Sequence, residues 1–149
     1  MFRAESIAFA PAHGLLRTGG YSPAHLTFDE HHFVPNAQNY LAGKADTNDH
    51  PPLGKLLIAS AIALFGDTAA IWRLPALLAG LLSIFLAYRL AARLFRDERA
   101  GWFAAVFVAV DGFFISYART ALLDGVLAMF MLASALFVIM YQGRFLEPA

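Results

Sequence analysis

Three apolar runs, each close to the length that crosses a bilayer, limit this chain more than any other feature. WRLPALLAGLLSIFLAY, from Trp72 to Tyr88, carries one charge, near its start. GWFAAVFVAVDGFFISYA, from Gly101 to Ala118, carries only Asp111, and ALLDGVLAMFMLASALFVIMY, from Ala121 to Tyr141, carries only Asp124. A spanning helix needs about 20 mostly apolar residues. Lipid offers backbone groups no partners, so such runs must be helical. The spans are predicted at about residues 72–90, 101–118 and 121–141. Pro75 is placed in the first turn of the first span, where a missing N–H costs least. Leu56 to Phe65 is too short to cross and is closed by Gly66-Asp67, so it reads as an interfacial helix. The predicted fold class is an all-α membrane protein with about three transmembrane helices and an outer segment of short interfacial helices.

Composition agrees. Hydrophobic residues make up 59% of the 149, the net charge is zero, and mean hydropathy is +0.57. An ordinary soluble domain is nearer 45–50% apolar and about 25% charged. With no basic tract, nucleic-acid binding is set aside. The absence of cysteine excludes a disulfide framework and thiolate metal sites. Residues 1–27 hold no apolar run long enough for a signal-peptide core, because Arg3, Glu5, Pro11, His13 and Arg17 interrupt them. They read as an irregular segment punctuated by Gly19-Gly20 and Ser22-Pro23.

Orientation comes from charge. Arg89, Arg93, Arg96 and Arg99 stand between the first two spans against only Asp97 and Glu98. Short Lys/Arg-rich loops stay cytoplasmic. Residues 28–71 and the turn from Ser116 to Asp124 are then expected outside, with residues 142–149 inside. Arg144 agrees with that orientation. Within the outer segment Pro35 is predicted to start a short helix, Asn36 to Ala42, ended by Gly43; an earlier start with a kink at the proline is the alternative.

The polar residues of that segment are dense. Asp29 and Glu30 are adjacent, so they point in different directions and only one can serve well as a base. A carboxylate partly desolvated at a membrane surface gains the basicity that general-base work needs; a solvated acidic loop is the plainer reading. In His50-Pro51-Pro52-Leu53-Gly54-Lys55 two prolines fix the backbone, glycine permits close approach, and lysine sits at the start of an apolar helix. That cation can meet a phosphate at headgroup level, or merely snorkel from the interface. Arg73 begins the first span and Arg119 lies in the second turn, while Asp111 and Asp124 sit in or beside apolar runs where a charge is costly. An Asp124–Arg119 pair is the structural alternative to chemistry for those two. His31, His32 and His50 with Asp29, Glu30 or Asp49 match no compact metal-ligand spacing, so a divalent metal is only weakly supported.

Taken together, Phe28-Asp29-Glu30-His31-His32-Phe33, Tyr40 and Asp49-His50-Pro51-Pro52-Leu53-Gly54-Lys55-Leu56 resemble the first extracytoplasmic loop of the protein O-mannosyltransferases and their bacterial lipid-carrier-dependent relatives. The likeness continues through Arg73-Leu74-Pro75-Ala76, Gly80, Tyr88, Asp111 and Ser116 to Asp124, with Ala118 where the family has serine. The resemblance implies part of a GT-C fold, family 39-like, in the bacterial plasma membrane. It implies a glycosyltransferase that passes a sugar, mannose first, from a polyprenyl or dolichyl phosphate to an acceptor hydroxyl, protein Ser/Thr first, on the outer face.

By the same resemblance Asp29 is the catalytic base with Glu30 beside it. Arg73 and Lys55 hold the donor phosphate, with His50, Arg119, Asp111 and Asp124 in support. A phosphate already leaves well, so such a site needs cations for the growing negative charge and a base, with little call for an acid. Direct attack inverts the anomeric carbon. No cofactor is implied beyond the lipid-linked donor; the expected partners are the bilayer, that donor, an acceptor protein or glycan, and a partner chain if one completes the fold. Family members have a spanning helix before the Asp-Glu element and many spans after this chain's last, so a fragment is expected. A lipid or cell-wall glycan acceptor, a non-catalytic membrane subunit, an inactive truncated piece and a transporter are the competing readings.

Overall fold

The computed structural model describes residues 26–45 and 50–146, with side chains as far as residue 142. Residues 1–25, Asp49 and Arg144's side chain, which carry some of the expectations above, lie outside the described residues. Among the described residues the chain is helix and turn, with no strand. The helices are α1 (Glu30–Leu41), α2 (Pro52–Phe65), α3 (Ala69–Phe95), α4 (Glu98–Val110), α5 (Gly112–Ala118) and α6 (Asp124–Leu146). They divide between two compact units, Met1–Pro75 with Thr120–Leu123, and Ala76–Arg119 with Asp124–Ala149.

In the first unit, α1 and α2 pack together. Helix α1 begins well before Pro35, which lies inside it. The missing proline N–H leaves the His31 carbonyl without its helical partner. The early start is enforced from outside the helix, because Glu30, its first residue, is pinned by groups far away in sequence. Phe33, Val34 and Ala37 form the buried face of α1, one helical turn apart, and Ile58, Ala59 and Ile62 that of α2. Helix α2 starts at Pro52, not at Leu56. Pro51 is extended, with φ −50° and ψ 136°, and Pro52 takes the first turn, where its lost donor is not needed. Gly54 is required by packing: a Cβ there would collide with the Leu123 side chain.

Helix α3 starts at Ala69, three residues before the predicted start, so Pro75 falls in its second turn rather than its first. Among the described residues it is one of two helices long and apolar enough to cross a membrane; the other is Asp124–Gln142 of α6. Leu77, Leu78, Leu81, Leu82 and Phe85 of α3 are exposed. Such surface needs lipid or further helices against it. The second predicted span is not one straight helix. Asp111, extended at φ −67° and ψ 116°, ends α4, and its Oδ1 accepts from the Phe114 N–H at 2.6 Å to cap α5. The two helices meet at a bend of 67°, so together they are a broken span or a re-entrant loop. Counting the bent pair as one span gives the predicted three.

Helix α6 begins at Asp124, not at Ala121. Ala121 and Leu122 are buried in the first unit instead. A carboxylate in the first turn of α6 suits the positive end of the helix dipole. Packing within the second unit relies on small residues, as in membrane bundles. Ser83 is fully buried and donates to the Ala79 carbonyl at 2.8 Å, satisfying a hydroxyl that lipid could not.

Candidate functional site

The polar centre of the first unit is Glu30. Its side chain is 0% exposed, yet no oxygen is wanting a partner. Oε1 accepts from Arg73 Nε at 2.8 Å and from the Ala121 N–H at 2.7 Å; Oε2 accepts from Arg73 Nη2 at 2.9 Å and from the Thr27 N–H at 2.8 Å. Two donors reach each oxygen, which fills the acceptor capacity of a carboxylate. The Arg73 contact is the bidentate fork that arginine alone presents. Glu30 thus joins the turn before α1, the first turns of α3 and the segment between α5 and α6.

Those contacts decide which member of the acidic pair can act on a substrate. Glu30 has no lone pair left for an incoming proton. The positioning of Arg73 is what its geometry supplies. Asp29 is different: it sits at the N-cap of α1 and is half-buried, and its side chain makes no capping bond. Among the described residues its carboxylate accepts from no donor. The residue before it, Phe28, is held at φ +53°, a left-handed conformation that costs a bulky side chain about 1–3 kcal/mol. That strained turn aims Asp29 and Glu30 in different directions.

Burial pushes the Glu30 carboxyl up, but the Arg73 hydrogen bond, the amides of Ala121 and Thr27, and the Arg73 charge together outweigh it and hold the group below its ordinary 4.5. A depressed carboxylate contributes stability that is fully present above the unfolded value and is lost as pH falls through the folded one. The first unit is therefore expected to keep the Glu30 contribution from neutrality down to about pH 4.5 and to lose it below that, at no more than about 1.4 kcal/mol per pH unit. Denaturant titrations of the detergent-solubilised protein at pH 7, 5, 4 and 3 would show it. A Glu30→Gln variant should lack the Glu30-linked part of the acid decline.

The two predicted phosphate cations are presented differently. The Arg73 side chain is 31% exposed. Lys55 is fully buried, its Nζ 5.6 Å from the centroid of the Tyr40 ring, within cation–π range. Of the two, Arg73 is the one with surface to offer a ligand. His50 packs edge-on against Phe33, ring centroids 5.2 Å apart. Among the described residues no three His, Asp or Glu side chains gather around one point: Glu30 is turned to Arg73 and His50 to Phe33.

Reading the sequence missed a second carboxylate knot. Asp67 accepts from Trp72 Nε1 at 2.6 Å and from Gln38 Nε2 at 2.9 Å on Oδ2. Trp72 and Arg73 are consecutive, so two acids, Asp67 and Glu30, hold the start of α3, and both also engage α1. The only available signal was an acid directly after the glycine that closes α2, which is also an ordinary turn.

The remaining predicted residues belong to the second unit. Asp111 is the helix cap at the bend. Arg119 is exposed just after α5, and among the described residues no ion pair joins it to Asp124. Asp124 lies at the edge of a groove of about 260 Å³ lined by Gly80, Phe113, Phe114, Tyr117, Ala118, Gly125 and Ala128.

These features define an integral membrane protein with a polar knot at the head of its first long apolar helix. A family model described as dolichyl-phosphate-mannose-protein mannosyltransferase matches residues 49–143, and a second of the same description matches residues 16–72. The chain belongs to that family. It is 37% identical over 114 residues to the polyprenol-phosphate-mannose–protein mannosyltransferase of Mycobacterium tuberculosis, which covers 72% of this chain and 22% of the relative. The protein of the same name from Corynebacterium glutamicum is 32% identical over 121 residues, 72% of this chain and 23% of the relative. Protein O-mannosyltransferase 1 of Drosophila pseudoobscura pseudoobscura is 32% identical over 133 residues, 77% of this chain and 14% of the relative. The chain thus spans less than a quarter of the length of these relatives. No solved structure gives a significant match.

Proposed function

We propose that this chain forms the catalytic N-terminal part of a glycosyltransferase that moves mannose from a polyprenyl phosphate to a protein Ser or Thr hydroxyl on the outer face of a bacterial plasma membrane. Asp29 takes the proton of the acceptor hydroxyl as its oxygen bonds to the anomeric carbon. The bond from that carbon to the donor phosphate oxygen breaks, and the electron pair leaves with the phosphate. Arg73 meets the charge growing there, held by Glu30 so that it need not reorganise during the reaction. Lys55, enclosed beneath Tyr40, contributes its positive charge from the interior, and His50 holds the Phe33 side of α1. The donor's lipid chain remains in the bilayer, which is why the site belongs at the head of a spanning helix.

The observation that carries this reading is the division of labour in the acidic pair: one carboxylate is saturated while holding the partly exposed arginine, and its neighbour is half-exposed and, among the described residues, without a donor. The names of the relatives supply the sugar, the carrier and the acceptor class. The test uses the complete enzyme of which this segment is part, in membranes, with radiolabelled mannosyl polyprenyl phosphate and a Ser/Thr peptide. Label should appear in the peptide with the anomeric configuration opposite to the donor's, as single displacement demands. Retention of configuration, or label in lipid or glycan alone, would overturn it.

A further inference from the structure

The turn between α3 and α4 is the most strongly charged surface that the transfer reading leaves unused. Four arginines, Arg89, Arg93, Arg96 and Arg99, lie within eleven residues of chain whose acids are Asp97 and Glu98. Both acids are already engaged. The Asp97 side chain accepts from the Arg99 N–H at 2.9 Å as the cap of α4, and Glu98 accepts from the Tyr88 hydroxyl. Arg93, Arg96 and Arg99 are exposed, and among the described residues none of the four arginines is in an ion pair.

The geometry of the turn is built to keep it so. Arg96 sits at φ +53°, which lets two residues reverse the chain between Phe95 and Glu98. Gly101 admits Tyr88 against α4: a Cβ there would lie 2.9 Å from the Tyr88 ring and from its carbonyl oxygen. That approach delivers the tyrosine hydroxyl to Glu98 and brings Trp102 against Tyr88, the rings tilted by 58° with centroids 5.1 Å apart. The cations also have exposed apolar neighbours, Leu94 (59%), Phe95 (67%) and Trp102 (65%). A free phosphate has no use for such neighbours. A phospholipid does: its headgroup matches the guanidinium groups and its chains match the aliphatic and aromatic surface, and an exposed tryptophan beside such a turn is the residue type that concentrates at membrane interfaces.

We infer that the α3–α4 turn is a binding site for anionic phospholipid headgroups, formed by Arg93, Arg96 and Arg99, whose guanidinium groups stay out of ion pairs with the turn's two carboxylates because Tyr88 and the α4 cap engage those carboxylates. This site is independent of the transfer chemistry at Asp29 and stands or falls separately. Juxtamembrane basic clusters attract anionic lipid through charge and fork-like hydrogen bonds, and the attraction weakens with salt.

The test is electron spin resonance of the whole chain in phosphatidylcholine vesicles doped with spin-labelled phosphatidylglycerol or spin-labelled phosphatidylcholine. Phosphatidylglycerol should be selected by about threefold or more over phosphatidylcholine at low salt, and the ratio should fall toward one near 1 M salt. Arg93→Gln/Arg96→Gln/Arg99→Gln should abolish the selectivity, and the corresponding triple Lys variant should retain most of it, which a merely misfolded turn would not do. Tyr88→Phe frees Glu98 to pair with a neighbouring arginine and should lower the ratio. Equal restriction of both lipids by the unaltered protein would overturn the inference without requiring any variant to fold. So would full selectivity in the triple Gln variant, or displacement of phosphatidylglycerol by inorganic phosphate at matched ionic strength.

Discussion

Replacing Asp29 by Asn is expected to lower turnover of the complete enzyme by about 10²- to 10⁴-fold, the usual contribution of a positioned general base. Binding of donor should change little, because the substitution removes a proton acceptor and leaves Arg73 and its support untouched. The change is well suited to isolating chemistry from folding. The Asp29 side chain makes no capping bond to α1, and asparagine is as good an N-cap as aspartate. Helix content and unfolding midpoint should therefore match the unaltered protein. Initial rates with labelled donor and peptide measure the loss. Turnover of the Asp29→Asn variant within a few-fold of the original would remove Asp29 from the mechanism.

What the sequence revealed, and what it hid, follows from the range over which each feature is determined. The long apolar runs are local, set by a stretch of chain read against the thickness of a bilayer, and they were legible; the start of α2 at Pro52 rather than the expected Leu56 was not, although the prolines that set it stand in the sequence. The Asp-Glu pair was legible as chemistry but not as a division of roles. Glu30 receives its donors from Arg73, 43 positions away, and from Ala121, 91 positions away. No periodicity encodes those contacts, and they also moved the start of α1 ahead of Pro35. Asp111 is the opposite case. In the sequence it reads as a charge in need of a partner, yet it serves a local purpose. An Asp-Gly pair within an apolar run is a cap followed by a flexible residue, and its partner is the Phe114 amide three positions on. Broken helices of this kind also occur in transporters, but membership of the mannosyltransferase family gives this one a different setting.

Glu30→Ala should destabilise the first unit by about 3 kcal/mol, toward the lower end for breaking a buried ion pair because Arg73 is itself 31% exposed. Beyond the lost pair, the Thr27 and Ala121 amides are left without acceptors, each costing about 1 kcal/mol or more if water does not reach it. The expected reading is a lower midpoint in denaturant titration, with protease sensitivity appearing near Thr27 and Ala121 ahead of the apolar helices. Glu30→Gln should be milder, since one amide oxygen still accepts, although its NH₂ then faces donors that the carboxylate satisfied. A double variant, Glu30→Leu with Arg73→Met, separates the two functions of the pair. Apolar replacement of a buried pair is often close to neutral, so part of the lost stability should return. Transfer should not return, because the cation that meets the phosphate is gone and Lys55 is enclosed. If Glu30→Ala unfolded at the unaltered midpoint, the four hydrogen bonds around that carboxylate would not hold the unit together. If the double variant regained turnover along with stability, Arg73 would be a structural residue only and the phosphate would have to be met by another cation.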